Sequence, residues 1–335
     1  MSIFKKKNMK QLSFFFLLFP FLLTAQNTLN STSFAETITA KELQENLYVY
    51  ASDYFQGRET GTIGQKRAID FLQSFYETHQ ISPAKGSDHY RQVMNLEIKG
   101  ENVATENIVA FLEGSEFPNE YLVISSHLDH IGIKGGEINN GADDDGSGTV
   151  ALLEIAEAFK AASEAGYRPK RSLIFLHVTG EEKGLLGSKY YTDNPLYPLA
   201  DTVANLNIDM IGRTDPTRED KDPNYIYLIG ADRLSQELHD ISEATNKKYA
   251  QLKLDYTFNE ENDPNRFYFR SDHYNFAKNN IPVIFYFSGT HEDYHRPGDT
   301  PDKIRYDLLE KRTRLIFYTA WELANRPNRI ALNAK

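Results

Sequence analysis

Two hydrophobic periods share this chain. Near the start, apolar residues recur at helical spacing: Leu43, Leu47 and Val49-Tyr50, then Ala68, Ile69, Phe71, Leu72, Phe75 and Tyr76. This spacing predicts a helical segment over residues 37–80, broken at Gly61-Thr62-Ile63-Gly64. Strand-type runs follow at 91–99, 107–112, 121–125, 172–178, 204–211, 225–229 and 282–287, with a weaker edge candidate at 251–258. Between them lie helical stripes. The clearest is Val150, Leu152, Leu153, Ile155, Ala156 and Phe159; others span 185–191, 234–244, 272–279 and 302–325. Strands alternate with helices from Asn107 onward. That order predicts an α/β fold, a three-layer sandwich with a mostly parallel mixed central sheet and helices on both faces.

No linker, repeat or low-complexity stretch interrupts the pattern, so residues 26–335 are expected to form a single domain with its core at about 107–325. The first residues stand apart. Lys5, Lys6, Lys7 and Lys10 precede an apolar run from Leu12 to Leu23, which has the length of a signal-peptide core and is short for a membrane span. Cleavage after Ala25 is expected, with export to the periplasm or the medium and no membrane attachment of the mature chain.

Composition narrows the chemistry. A 40% hydrophobic content supplies a sizeable core, and the formal charge of −10 disfavours nucleic acid as a partner. There is no cysteine, which removes disulfides, catalytic thiols and thiolate metal sites together.

Charged and imidazole groups gather where predicted strands end. His127 and Asp129 follow the run at 121–125; Asp143-Asp144-Asp145 open the helix after it; Glu181-Glu182 follow 172–178; Asp209 lies in 204–211; and His295 falls in the polar loop after 282–287. Each alone reads equally well as a strand end, a helix cap or a solvated loop residue. Together they fall at the carboxyl edge of a parallel sheet, where open α/β folds build their sites. Imidazole and carboxylate without thiol suit Zn²⁺ and related divalent cations.

Five segments in order then carry a resemblance: Ser126-His127-Leu128-Asp129, Gly141 to Gly148, Gly180 to Ser188, Asn207 to Gly212, and Tyr294-His295 through Asp299-Thr300 to Ile304. The chain resembles the co-catalytic dizinc exopeptidases, a family that includes secreted bacterial aminopeptidases, with glutamate carboxypeptidases and glutaminyl cyclases as relatives. Upstream, Gln56 to Thr62 is similar to the family's N-terminal signature. The resemblance implies two Zn²⁺ per chain. His127 and Asp209 would bind one, Glu182 and His295 the other, and Asp144 would bridge them, with a cis bond between Asp144 and Asp145. Glu181 would be the general base, and Tyr294 would stabilise the oxyanion.

The chemistry agrees with those roles. Two divalent cations exceed three carboxylates by one positive charge, which favours an anionic nucleophile. One bridging carboxylate spans metals about 3.5–4 Å apart. A base next in sequence to a ligand has little freedom to drift.

Asp129, two residues from His127, is expected to accept the other ring N–H of that imidazole. Arg270 and His291 are candidate substrate contacts, and Phe267 to Phe269 candidate pocket walls. His177 reads as a core residue, and alternation puts His130 on the face opposite the site. The expected activity is hydrolysis at the ends of peptides, foremost as an aminopeptidase. A carboxypeptidase or dipeptidase on the same site, or a single-zinc glutaminyl cyclase, is the alternative.

Overall fold

The computed structural model describes residues 30–334; the expected signal peptide lies outside the described residues. Four parallel strands form the centre: β7 (Arg171–Val178), β4 (Phe117–His127), β8 (Thr202–Ile208) and β11 (Val283–Phe287), adjacent in that order. Outside β7 runs antiparallel β3 (Glu101–Leu112), which pairs in turn with β2 (Arg91–Ile98) and β1 (Ser82–Pro83). Outside β11 runs antiparallel β9 (Tyr225–Ile229), followed by β10 (Lys253–Asp255) parallel to it. The sheet is therefore mixed, with its parallel part in the middle. A small hairpin, β5 (Gly132–Lys134) with β6 (Glu137–Asn139), stands apart.

Alternation along the strands feeds two apolar layers. Ile108, Ala110, Leu122, Ile124, Leu173 and Phe175 point to one face. There they meet α2 (Ala40–Tyr50), α3 (Ile63–Thr78), α4 (Gly148–Glu164) and α8 (Tyr306–Asn325). Val109, Phe111, Val123, Ile174 and Leu176 point to the other face, which is covered by α5 (Leu186–Asp193) and α7 (His273–Ala277). The chain also carries the short α1 (Ser31–Ala35) and α6 (Gln236–Thr245). Helix α4 lies between the sheet and α2 and α8, so nearly every side chain along it is buried.

Among the boundaries that differ from expectation, those of β3 and the last helix have clear causes. Strand β3 starts at Glu101 because Lys99 and Gly100, both at positive φ, turn the chain directly back along β2. Its first half is exposed and polar, which hides the strand pattern. The last helix begins at Tyr306, after a short turn opened by Pro301. Among the described residues no helix is long and apolar enough to cross a membrane.

Candidate metal centre

The carboxyl ends of the four central strands meet at one edge. His127 is the last residue of β4, and Asp209 directly follows β8. Glu181 and Glu182 come after β7, past Gly180, whose φ of 65° turns the chain there. Asp144 precedes α4 in an irregular turn, and the Asp144–Asp145 peptide bond is cis. His295 sits on the loop after β11 at a φ of 57°.

The five expected ligands face one another. His127 Nε2 lies 3.2 Å from Asp144 Oδ1 and 3.5 Å from Asp209 Oδ1. His295 Nε2 lies 3.1 Å from Asp144 Oδ2 and 3.2 Å from Glu182 Oε2. Asp144 thus presents one oxygen to each group. Ligand atoms about 2.1 Å from a tetrahedral cation stand about 3.4 Å from one another, which is close to these separations. Among the described residues nothing hydrogen-bonds to the buried His127 Nε2 or Asp144 Oδ2. Buried carboxylates and imidazoles are not left so without a counter-charge, so this donor set fits divalent cations.

Asp145 also comes near His127 and Asp209, but its oxygens are committed to the backbone. They accept N–H groups from His127 at 3.1 Å, Gly148 at 3.0 Å and Met210 at 3.1 Å. It ties β4, α4 and the end of β8 together. Asp299 does the same for the turn itself, accepting the N–H groups of Asp143 and Asp144. Arg58, fully buried, donates to the carbonyls of Leu128 at 3.1 Å, Asn140 at 2.6 Å and Gly141 at 2.8 Å. The upstream signature thereby pins both site loops.

The electrostatics are those of a crowded acidic site. Burial alone would strip the proton from His127, but Glu181, Asp209 and Asp144 outweigh it and hold the imidazole well above its ordinary value. His295 is raised to about 10 against burial by Asp144 and Glu182. Burial and Asp144 push Glu182 up, yet its contacts with His130 and His295 take it down to about 2. Glu181 goes the other way. Burial, with Asp209 and Glu182 adding to it, lifts its carboxyl well above the usual range despite His127.

Three expectations need correction. The His127 Nδ1 partner is the main-chain carbonyl of Asp129 at 3.0 Å, not its carboxylate, which is 3.9 Å away. The chain leaves the strand at His127, so the extended spacing no longer applies. His291 is not placed as a substrate contact: it is buried, with Nε2 3.3 Å from Asp143 Oδ2. Of the aromatic run, only Phe267 walls the cavity beside the site; Tyr268 lies under the Arg233 guanidinium and Phe269 is exposed.

That cavity is lined on its apolar side by Met210, Phe267, Phe285 and Phe287, and on its polar side by Asp144, Glu181, Asp209 and Tyr294. Arg270 stands at its mouth, 4.7 Å over the Phe267 ring, with Nη2 3.4 Å from the Tyr294 hydroxyl. Tyr294 stacks on His295, and burial raises its hydroxyl far enough to keep it a proton donor. His177 is satisfied in the core by Tyr76 and Ser126. Sequence reasoning missed Ser271, whose hydroxyl donates to Asp209 Oδ2 at 2.6 Å, and misplaced His130, which is fully buried at the site.

Residues 107–320 match the model of peptidase family M28. The chain is 34% identical over 189 residues to leupeptin-inactivating enzyme 1 of Streptomyces exfoliatus, covering 52% of this chain and 37% of that one. It is 32% identical over 136 residues to a probable glutamate carboxypeptidase, LAMP1, of Arabidopsis thaliana, covering 40% and 18% respectively. The chain thus spans well under half the length of these relatives. Its fold is similar to that of an aminopeptidase from Aneurinibacillus sp. strain AM-1, with a TM-score of 0.68, 14% identity, and 91% and 98% of the two chains covered.

Proposed function

We propose, from the premise that this chain belongs to peptidase family M28, that it is an exported aminopeptidase carrying two Zn²⁺ ions. The observation that carries this reading is the division of Asp144 between two donor groups, one oxygen toward His127 and the other toward His295. Bound zinc supplies a Lewis acid for the scissile carbonyl and makes a water acidic enough to attack it at neutral pH.

The protein's own groups do the rest. Glu181 stands on the same cavity as Asp144 and Asp209, outside both donor groups. It takes the proton of the attacking water and returns it to the leaving amine. The Tyr294 hydroxyl donates to the developing oxyanion. The apolar wall of Met210, Phe267, Phe285 and Phe287 receives the side chain beside the scissile bond, while the acidic wall favours a free α-ammonium group. Both donor groups are complete, which argues against single-zinc glutaminyl cyclisation. The basic, then apolar N-terminus supports export to the periplasm or the medium.

Arg270 favours a second reading, a dipeptidase or carboxypeptidase. It is exposed at the cavity mouth and would pair with a substrate carboxylate.

The test is zinc content per chain together with hydrolysis of an aminoacyl chromogenic amide and of a blocked peptide with a free carboxyl end. Two zinc equivalents with release of the amine support the aminopeptidase. Cleavage of the blocked peptide alone transfers the assignment to the second reading. No zinc and no hydrolysis refutes both.

A further inference from the structure

Beside the five expected ligands lies a sixth group that their assignment does not use. His130 is fully buried, and no hydrogen-bond partner satisfies either ring nitrogen. Its Nδ1 lies 2.9 Å from Glu182 Oε1 and 3.7 Å from Asp144 Oδ2. A nitrogen ligating the same cation as Glu182 and Asp144 would stand at similar distances from their ligand oxygens. His295 does so, at 3.2 and 3.1 Å. His130 does not, and its near contact is to the other oxygen of Glu182.

We propose that His130 is a positioning residue: its Nδ1, 2.9 Å from Oε1 of Glu182, turns its N–H onto that oxygen when the cation takes Oε2, so that Oε2 is the one oxygen of that carboxylate presented to the cation shared with His295. Without that donor, Glu182 is free to rotate about its last torsion and to bind through both oxygens or neither. An outer group that orients a ligand is commonly worth 10–100-fold in metal affinity. The ring itself is held in place. A Cβ on Gly141 would stand 2.5 Å from His130 Cγ and 2.6 Å from Cδ2, so only glycine leaves room for it. Gly141, at a φ of 56°, also begins the turn that carries Asp144. The ring of His130 meets that of His295 edge-on, with centroids 5.7 Å apart, which closes the far side.

This inference rests on the two-zinc reading, and the experiment separates the two. Metal-stripped wild type, H130N and H130L are titrated with zinc against a fluorescent chelator, with circular dichroism as the folding control. Asparagine places its amide nitrogen where Nδ1 stands; leucine fills the space without a donor. H130N is expected to keep both affinities within about threefold. H130L is expected to lose roughly 10–100-fold at one of the two sites. If H130L does not fold, H130Q takes its place, because its amide nitrogen falls at the Nε2 position and should weaken binding where H130N does not. A leucine variant that binds both zincs like wild type overturns the proposal, as does an asparagine variant that falls with it. Wild type that binds a single zinc overturns the two-zinc reading and the proposal with it.

Discussion

The Asp129 carboxylate accepts the main-chain N–H of Glu181 at 3.2 Å, and its second oxygen accepts the Thr60 hydroxyl at 2.8 Å. Asp129 therefore acts on the candidate base rather than through its carboxylate on the candidate ligand His127. In Asp129→Ala both acceptor oxygens are lost, which releases the Glu181 turn. The expected result is a fall in kcat of roughly 10–100-fold, with zinc content at the wild-type level. Zinc analysis beside steady-state kinetics checks it; loss of zinc in step with activity would return the role to His127.

Glu181→Gln removes the proton acceptor and keeps the shape. Turnover should fall by about 10²–10⁴-fold while both metals stay, because the side chain belongs to neither donor group. Steady-state kinetics on zinc-loaded protein decide this. Activity near wild type would transfer the base to another group.

The parallel centre, and the places of His127, Asp209 and the Glu181-Glu182 pair beside it, were legible because strand ends are legible; Asp144 and His295 lie in loops well past a strand end, and the resemblance alone joined them to the set. A run such as Ser172 to Val178, followed by Gly180, tells where a side chain emerges. What went wrong lies just past such ends or in the loops. Alternation placed Asp129 on the side of His127 and His130 opposite, but β4 stops at His127 and alternation stops with it. His291 sits in a loop with no period, so nothing in the sequence distinguishes a rim residue from one turned inward onto Asp143. Arg58 followed a helical stripe with Glu59 beside it, and neither neighbour pointed to a buried role. Its partners are carbonyls from residues 50 and 128–141, a relation visible only once the chain has folded.

The cavity beside the site implies a substrate preference. Met210, Phe267, Phe285 and Phe287 reward a large apolar side chain, and each methylene in such a pocket is worth about 10-fold or more. Leucyl and phenylalanyl amides should exceed glycyl amides at least tenfold in kcat/KM. Arg270→Ala should raise KM for dipeptides with a free carboxylate and leave the chromogenic amide near its wild-type KM. An equal change on both would rule out a carboxylate contact.

Stability should carry a pH signature away from the site. Glu154, 3% exposed on α4, accepts only the Asn46 amide, at 2.9 Å. Burial first, then Glu157 and Glu42, push its carboxyl up to about 8 from an ordinary value of 4.5. Between those two values the native state keeps a proton that the unfolded chain has released. The proton-binding difference between unfolded and native states is then negative, so stability falls as pH rises through this window. Below the unfolded value the contribution is fully present; above the folded value it is gone. Glu154→Gln stays neutral throughout and removes the dependence. It should match wild type near pH 5 and exceed it progressively toward pH 8, by about 1 kcal/mol for each pH unit. Urea melts of both proteins at three pH values, with zinc held constant, measure the gap. A gap that does not change with pH would mean Glu154 titrates as it does in the unfolded chain; a gap that closes as pH rises would mean the buried group is ionised and paired.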